Sequence, residues 1–122
     1  MNKLTLTLLA TVLASGQAMA ECSAPASPSI PDGASSKLED MIEGQKAVKA
    51  FQAANMDYMK CLEAQFTAAE AAAKEGSDDD KAAATKVYDE SIEAYNAAVS
   101  AEEDVAGRFN TEIRAYKAAN PG

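Results

Sequence analysis

The side chains in this sequence that could do chemistry are two cysteines, a few methionines, and a set of carboxylates and amides, because the chain contains no histidine and no tryptophan. Histidine is the usual general base near neutral pH and the commonest metal ligand. Its absence excludes Ser-His and Cys-His nucleophile arrangements. Paired carboxylates need a concave, partly dry pocket to separate their pKa values, and a thin helical hairpin provides none. We therefore expect a protein that is not an enzyme and that uses no cofactor.

The two cysteines, Cys22 and Cys61, lack the close C-x-x-C spacing of thiol oxidoreductases. In an exported protein, two cysteines are expected to form one structural disulfide. A bridge that closes roughly forty residues would stabilise the fold by about 3 to 4 kcal/mol. An intermolecular bridge is the alternative, and electrophoresis with and without reductant distinguishes the two.

Methionines and acidic residues give the two candidate kinds of metal site. Met56 and Met59 lie on neighbouring turns of a predicted helix, Met41 precedes them, and thioethers can bind Cu(I). Methionines are also common gap fillers in helical cores, which is the interpretation we favour. The acidic clusters 78–80 and 102–104 fit a helix start and a solvated face, since no EF-hand pattern surrounds them. The sequence therefore predicts no metal site, with a copper or small-ligand carrier as the alternative function.

The N-terminal residues 1–20 have the features of a cleaved secretory signal peptide. A single basic residue precedes a short apolar run, and Ala18 and Ala20 form an A-x-A cleavage site. Glu21 stands where lipid attachment to Cys22 would need a small residue, so we favour ordinary cleavage over a lipoprotein. The apolar run is too short to span a bilayer. We predict a periplasmic or secreted product without stable membrane insertion.

The composition is acidic, with 11 Lys and Arg against 19 Asp and Glu and a formal net charge of -8. Such a chain is repelled by nucleic acid and by anionic lipid headgroups. Nucleic acid is therefore not an expected partner. The charge also keeps a small exported protein soluble, which is the simpler explanation for it.

The remaining sequence predicts an all-α fold: a long antiparallel two-helix hairpin, similar to a coiled coil, with an extended N-terminal segment. Residues 21–36 are rich in proline and should be extended, with a turn at 31–33. Helices are predicted at 37–75, after a capping box at Ser36 and Glu39, and at 78–119, with Gly76 and Ser77 between them. The extended segment has the reach to run back along the hairpin to Cys61. Ile30 would cover part of the apolar seam near the end of the hairpin that is far from the hinge.

The apolar seam follows a three-four spacing that polar residues interrupt near the middle. Folding about Gly76 pairs residues whose numbers sum to roughly 153, which places Phe66 near Tyr88. The same register predicts a polar layer of Gln45, Gln52, Asn55 and Glu102. We favour a role for this layer in fixing the helix register over a role as a ligand site.

Two helices alone leave part of each apolar stripe uncovered, so a protein partner or a second copy in a homodimer could cover it, as could the N-terminal segment. The run 22–33, with Met41, Val48, Tyr58 and Cys61, resembles a group of small uncharacterised exported proteins of Gram-negative bacteria. The resemblance implies a periplasmic or secreted product and no activity. In outline the chain is also similar to periplasmic stress chaperones built from helical hairpins, although the Leu-Thr-x-x-Gln repeat of the Spy-like kind is absent. We expect a non-enzymatic interaction protein, either chaperone-like or an assembly accessory.

Overall fold

The computed structural model describes residues 21–122, and the predicted signal peptide, 1–20, lies outside the described residues. Two helices, α1 (Leu38–Lys74) and α2 (Asp78–Ala119), pack against each other as an antiparallel hairpin, and no strand occurs within 21–122. The predicted all-α hairpin with a disulfide-bonded N-terminal segment is confirmed. Over the same range, neither helix is long and apolar enough to cross a membrane.

The hinge between the helices consists of residues 75–77. Gly76 has a φ of 93°, a conformation that glycine adopts without steric cost. Ser77 is the N-cap of α2, where its hydroxyl accepts a hydrogen bond from the Asp80 backbone N–H at 3.3 Å. The Asp80 carboxylate accepts the Ser77 backbone N–H in return, at 3.4 Å. This capping box starts α2 directly after the reversal, so the two helices must run side by side.

The first helix begins one residue later than the predicted capping box at Ser36 and Glu39 requires. Its N-cap is Lys37, whose backbone N–H donates to the Asp40 carboxylate at 3.0 Å. A lysine side chain has no acceptor, so only this half of a capping box can form. The acidic residue three positions after the cap, rather than a hydroxyl at the cap, defines this helix start.

The core lies along the seam between the helices. Buried α1 residues recur at intervals of seven, in the row Met41, Val48, Asn55, Leu62 and Ala69. Towards the hinge, the Phe66 ring meets the edges of the Tyr88 and Tyr95 rings at centroid distances of 6.2 and 5.9 Å, in the register that the sequence predicts. Between residues 70 and 90 no residue is buried. The hairpin is therefore well packed at the end far from the hinge and thinly packed at its hinge end.

Residues 21–33, here called the strap, run in extended form along one side of the hairpin. One end is bonded to α1 through the Cys22–Cys61 disulfide, with a Cα–Cα distance of 5.7 Å. Near the other end Ile30 packs against the buried core cluster, as predicted. The strap ends in a turn over 32–35, one residue later than predicted, in which the Asp32 carboxylate accepts the Ala34 backbone N–H at 3.0 Å.

Candidate functional site

The strap contacts the helices most closely at two glycines, and these contacts decide which side of the hairpin it covers. Gly44 of α1 faces the Pro31 ring so closely that a Cβ at this position would lie 2.6 Å from the ring Cδ. Gly33 is buried against α2, where a Cβ would overlap the Glu112 backbone and lie 2.9 Å from the Tyr116 nitrogen. The Gly33 backbone N–H donates to the Glu112 carboxylate at 2.7 Å. Both glycines are therefore needed for close approach of the strap to the helices.

These contacts leave the strap on one side of the hairpin over its whole length. Its Cys22 end lies among residues of both helices that include Tyr58, Val87 and Ser91. Its Pro31 end lies beside Arg108 and Glu112 of α2 and beside Gly44 of α1. We call this side of the hairpin the strap face and the opposite side the open face.

The open face carries an apolar groove at the end far from the hinge. The groove has a volume of about 250 Å³, and no strap residue lines it. Its lining is mostly apolar, with one amide, one phenol and one ammonium group: Leu38, Met41, Ile42, Gln45, Phe109, Ile113, Tyr116 and Lys117. A ligand or partner that fits this groove needs an apolar surface of matching shape.

On α2 a row of apolar side chains continues from the groove along the open face, whereas the matching row on α1 is mixed. From Ile113, steps of seven residues lead to Ala106, Val99 and Ile92, all apolar. From Ile42 on α1, steps of seven lead through Lys49 to Met56 and Glu63. A two-helix seam needs apolar residues only at its contact positions, whereas a further apolar row is typical of helices in larger bundles.

Four of the five large hydrophobic residues that are most exposed between 21 and 122 belong to the open face. Their exposed fractions are 58% for Leu38, 55% for Met56, 43% for Ile42 and 38% for Val99. The fifth is Val87, on the strap face, at 37%. Scattered exposed hydrophobics are ordinary, but an aligned set beside an apolar groove marks an interaction surface.

The polar residues predicted for the middle of the seam do not form one layer. Asn55 is the most deeply buried of them, at 1% exposure, and its amide donates to the Ala98 carbonyl at 2.9 Å and to the Glu102 carboxylate at 3.1 Å. Gln52 is half-buried, and Gln45 is exposed at the groove instead of joining the layer. Gln45 lies about 15 Å from Asn55 along the helix axis. Gln45 and Gln52 also belong to the neighbouring row of α1 and not to the buried row that holds Asn55. Asn55 and Glu102 are thus the pair that the structure brings together.

The three methionines considered as copper ligands are divided between the core and the surface. Met41 is buried in the core cluster, whereas Met56 is exposed and Met59 half-buried. Met41 and Met56 are about 22 Å apart along the helix axis, so a site with all three methionines cannot form. The acidic cluster 78–80 starts α2 as predicted. No group of His, Cys, Asp or Glu suited to a metal is found in the part of the chain that the structure describes.

The fold and the site define a disulfide-strapped helical hairpin with one covered and one uncovered face. Comparison with known proteins gives no matching family model, no matching curated protein and no matching solved structure. Any function must therefore be inferred from the open face itself.

Sequence reasoning missed the strap contacts at Gly44 and Glu112. A faint signal was present, because Gly44 is the single glycine of α1. A glycine inside a helix does not by itself indicate a close contact. Gly107 also lies inside a helix, and a Cβ there would meet nothing within 4 Å. Only the position of the strap distinguishes the two glycines.

Proposed function

We propose that this chain is a non-enzymatic periplasmic or secreted interaction protein that binds a protein partner, or a second copy of itself, through its open face. The observation that carries the proposal is the unequal coverage of the hairpin. The strap covers one side of the seam, while the aligned hydrophobic residues and the apolar groove remain on the other. An aligned helical surface of this kind fits a partner helix laid along it, as in other helix-in-groove complexes. A chaperone-like or assembly role is the finer form of the proposal.

The proposed location rests on the signal-peptide pattern of residues 1–20 and on the disulfide. A disulfide between Cys22 and Cys61 is compatible with an oxidising compartment. The bond also supports the proposed surface, because it fixes the strap to one face and leaves the other face free. The open face therefore belongs to a hairpin that the disulfide-bonded strap stabilises.

A photo-cross-linking experiment in the periplasm of a Gram-negative host tests this function. A photoreactive amino acid is placed at Val99 on the open face or, as a matched control, at Val87 on the strap face. The two valines lie in the same helix and have nearly equal exposure, 38% and 37%. We expect protein adducts from position 99 and few from position 87. Equal labelling from the two positions would contradict a dedicated open face.

A small-ligand carrier is the second candidate function, and the groove is the observation that favours it. Met41 and Gln45, two residues considered for such a role from the sequence, both line the groove. Its apolar lining would suit a small hydrophobic molecule rather than a hydrated copper ion. Native mass spectrometry of protein isolated from periplasm checks this candidate. A bound small mass that disappears in Ile113→Glu supports it, and protein free of ligand excludes it.

A further inference from the structure

We propose that the open face binds an acidic amphipathic helix of a partner protein, which lies along the apolar groove with carboxylates over Lys49 and Lys117. This inference rests on the proposed function, since it names the chemistry of the partner that the same face binds. The apolar lining alone does not select a partner. The two lysines at the ends of the groove do.

Lys49 and Lys117 lie at opposite ends of the groove along the helix axis. The Asn55 hydrogen bonds across the seam show that residues at the same level have numbers that sum to about 155. Lys117 lines the groove and is therefore level with Leu38, at its outer end. Lys49 follows the lining residue Gln45 by one turn and lies at the inner end. Eleven residues of α1, or about 16 Å, separate the two levels.

Both lysines are exposed, and within residues 21–122 neither is paired with a carboxylate. Four other cations in that range pair with a carboxylate of their own helix: Lys46, Lys74, Lys86 and Arg108. Of the described residues that line the groove, none is acidic, although the sequence has 19 acidic residues against 11 basic ones. The groove is therefore an apolar site with positive charge at both ends, and a complementary partner carries negative charge.

Three carboxylates lie beside Ile42 at the edge of the groove, and they act within α1. Asp40 accepts a backbone N–H at the helix start at 3.0 Å, and Glu43 pairs with Lys46 at 2.9 Å. Glu39 lies in the first turn of α1, where the helix dipole favours a negative charge. The chain's own carboxylates thus leave the charges at both ends of the groove for a partner.

The spacing of the two lysines specifies a sequence pattern for the partner helix. Carboxylates at positions i and i+11 of a helix are about 16 Å apart and lie on one face. Large apolar residues at i+4 and i+7 lie on the same face between them and would enter the groove, as in other helix-in-groove complexes. The pattern is the same in both chain directions, so it applies to either orientation of the partner helix.

This chain does not contain the pattern, so a second copy is not the expected occupant. Within α1 and α2, three pairs of carboxylates are eleven positions apart: Asp78 and Asp89, Asp79 and Glu90, and Glu93 and Asp104. At i+4 and i+7 these pairs have alanine, threonine, lysine or serine instead of large apolar residues. Neither helix of a second copy could therefore fill the groove and also neutralise both lysines.

Fluorescence anisotropy of a labelled peptide tests the proposal with the exported, disulfide-bonded protein. The probe is an alanine-based helix of about five turns, stapled on its far side, with glutamates at i and i+11 and leucines at i+4 and i+7. Two control peptides carry lysines in place of the glutamates or alanines in place of the leucines. We expect a micromolar Kd for the probe and a Kd at least about tenfold higher for each control.

Substitutions in the protein test the role of each lysine. Lys49→Glu and Lys117→Glu should each raise the Kd of the probe by about three- to tenfold, and the double variant should bind the lysine peptide instead. Lys60→Glu is the matched control, because Lys60 is also an exposed, unpaired lysine of α1 within 21–122 but lies eleven residues nearer the hinge. It should change the Kd by less than about twofold.

Ile42→Glu tests whether the peptide lies in the groove. Ile42 is already 43% exposed, so the variant should stay folded by circular dichroism and lose binding of the probe. Retained binding in this variant would overturn the site. Equal binding of the glutamate and lysine peptides would overturn the acidic partner, as would no binding of the probe up to millimolar concentration or equal effects at Lys49 and Lys60.

Failure of this inference and failure of the proposed function give different results. If protein adducts form from position 99 and not from position 87, but persist unchanged in the double variant of Lys49 and Lys117, the acidic helix is excluded and the interaction function stands. If neither peptide binding nor position-specific cross-linking occurs, both proposals are wrong.

Discussion

Replacing Gly44 by alanine should destabilise the protein, although the same change at Gly107 should stabilise it. In a helix interior, alanine is favoured over glycine by roughly 0.5 to 1 kcal/mol, because glycine loses more backbone entropy on folding. At Gly107 a new Cβ would meet nothing within 4 Å, so the full gain is expected there. At Gly44 it would lie 2.6 and 2.8 Å from two Pro31 ring atoms and 3.3 Å from a Phe109 ring atom.

The Pro31 ring cannot move aside easily, because the strap is held at both ends. The disulfide anchors it on one side of Pro31, and the buried Gly33 anchors it on the other. Overpacking of this kind costs about 1 to 3 kcal/mol. After subtraction of the gain in helix propensity, Gly44→Ala should lower the free energy of unfolding by about 0 to 2.5 kcal/mol.

Urea unfolding followed by far-UV circular dichroism measures both variants against the wild type. Pro31→Ala removes the ring atoms that clash, so in that background Gly44→Ala should become neutral or stabilising. The coupling free energy between the two sites should be about 1 to 3 kcal/mol. Stabilisation by Gly44→Ala equal to that by Gly107→Ala, or simple additivity with Pro31→Ala, would refute the close contact between strap and helix.

Three further predictions concern the seam, the disulfide and the hinge end. Asn55→Ala should lower the free energy of unfolding by about 1 to 3 kcal/mol, since the Ala98 carbonyl and the Glu102 carboxylate each lose a donor; an unchanged urea midpoint would contradict this. Replacing both Cys22 and Cys61 by serine should cost about 3 to 4 kcal/mol, and the oxidised wild type should migrate at monomer mass without reductant. A reductant-sensitive band of doubled mass would instead indicate an intermolecular bridge. Amide hydrogens in 70–90 should exchange faster than those around Cys61, because that range contains no buried residue. Slower exchange in 70–90 than around Cys61 would contradict this prediction.

The hairpin, its hinge and the path of the strap were predictable because each follows from local chemistry or simple geometry. Gly76 and Ser77 carry a helix stop and a helix start, and their spacing forces a reversal. The reach of the extended segment, compared with the helical rise, then fixes where Cys22 can meet Cys61. Neither argument needs knowledge of how side chains pack.

The details of the seam could not be predicted in the same way, because they depend on rotations smaller than one helical position. The three-four spacing identifies the face that carries Gln45, Gln52 and Asn55, but it does not determine which of these is deepest. The structure buries Asn55 against Ala98 and turns Gln45 outward. The role of Gly44 was equally hidden, since its local sequence gives no information about a proline that packs on it from outside the helix.

The positions of the strap's two attachment points have a consequence for the order of folding. Cys22 and Cys61 both lie in the first half of the chain, whereas the hydrogen bond from Gly33 reaches Glu112, 79 residues away and near the end of α2. Contacts between residues so far apart form late, because closing a long loop has a large entropic cost. Oxidation can therefore precede completion of the surface on which the strap lies. With only two cysteines in the sequence, early oxidation within one chain has no incorrect pairing available to it.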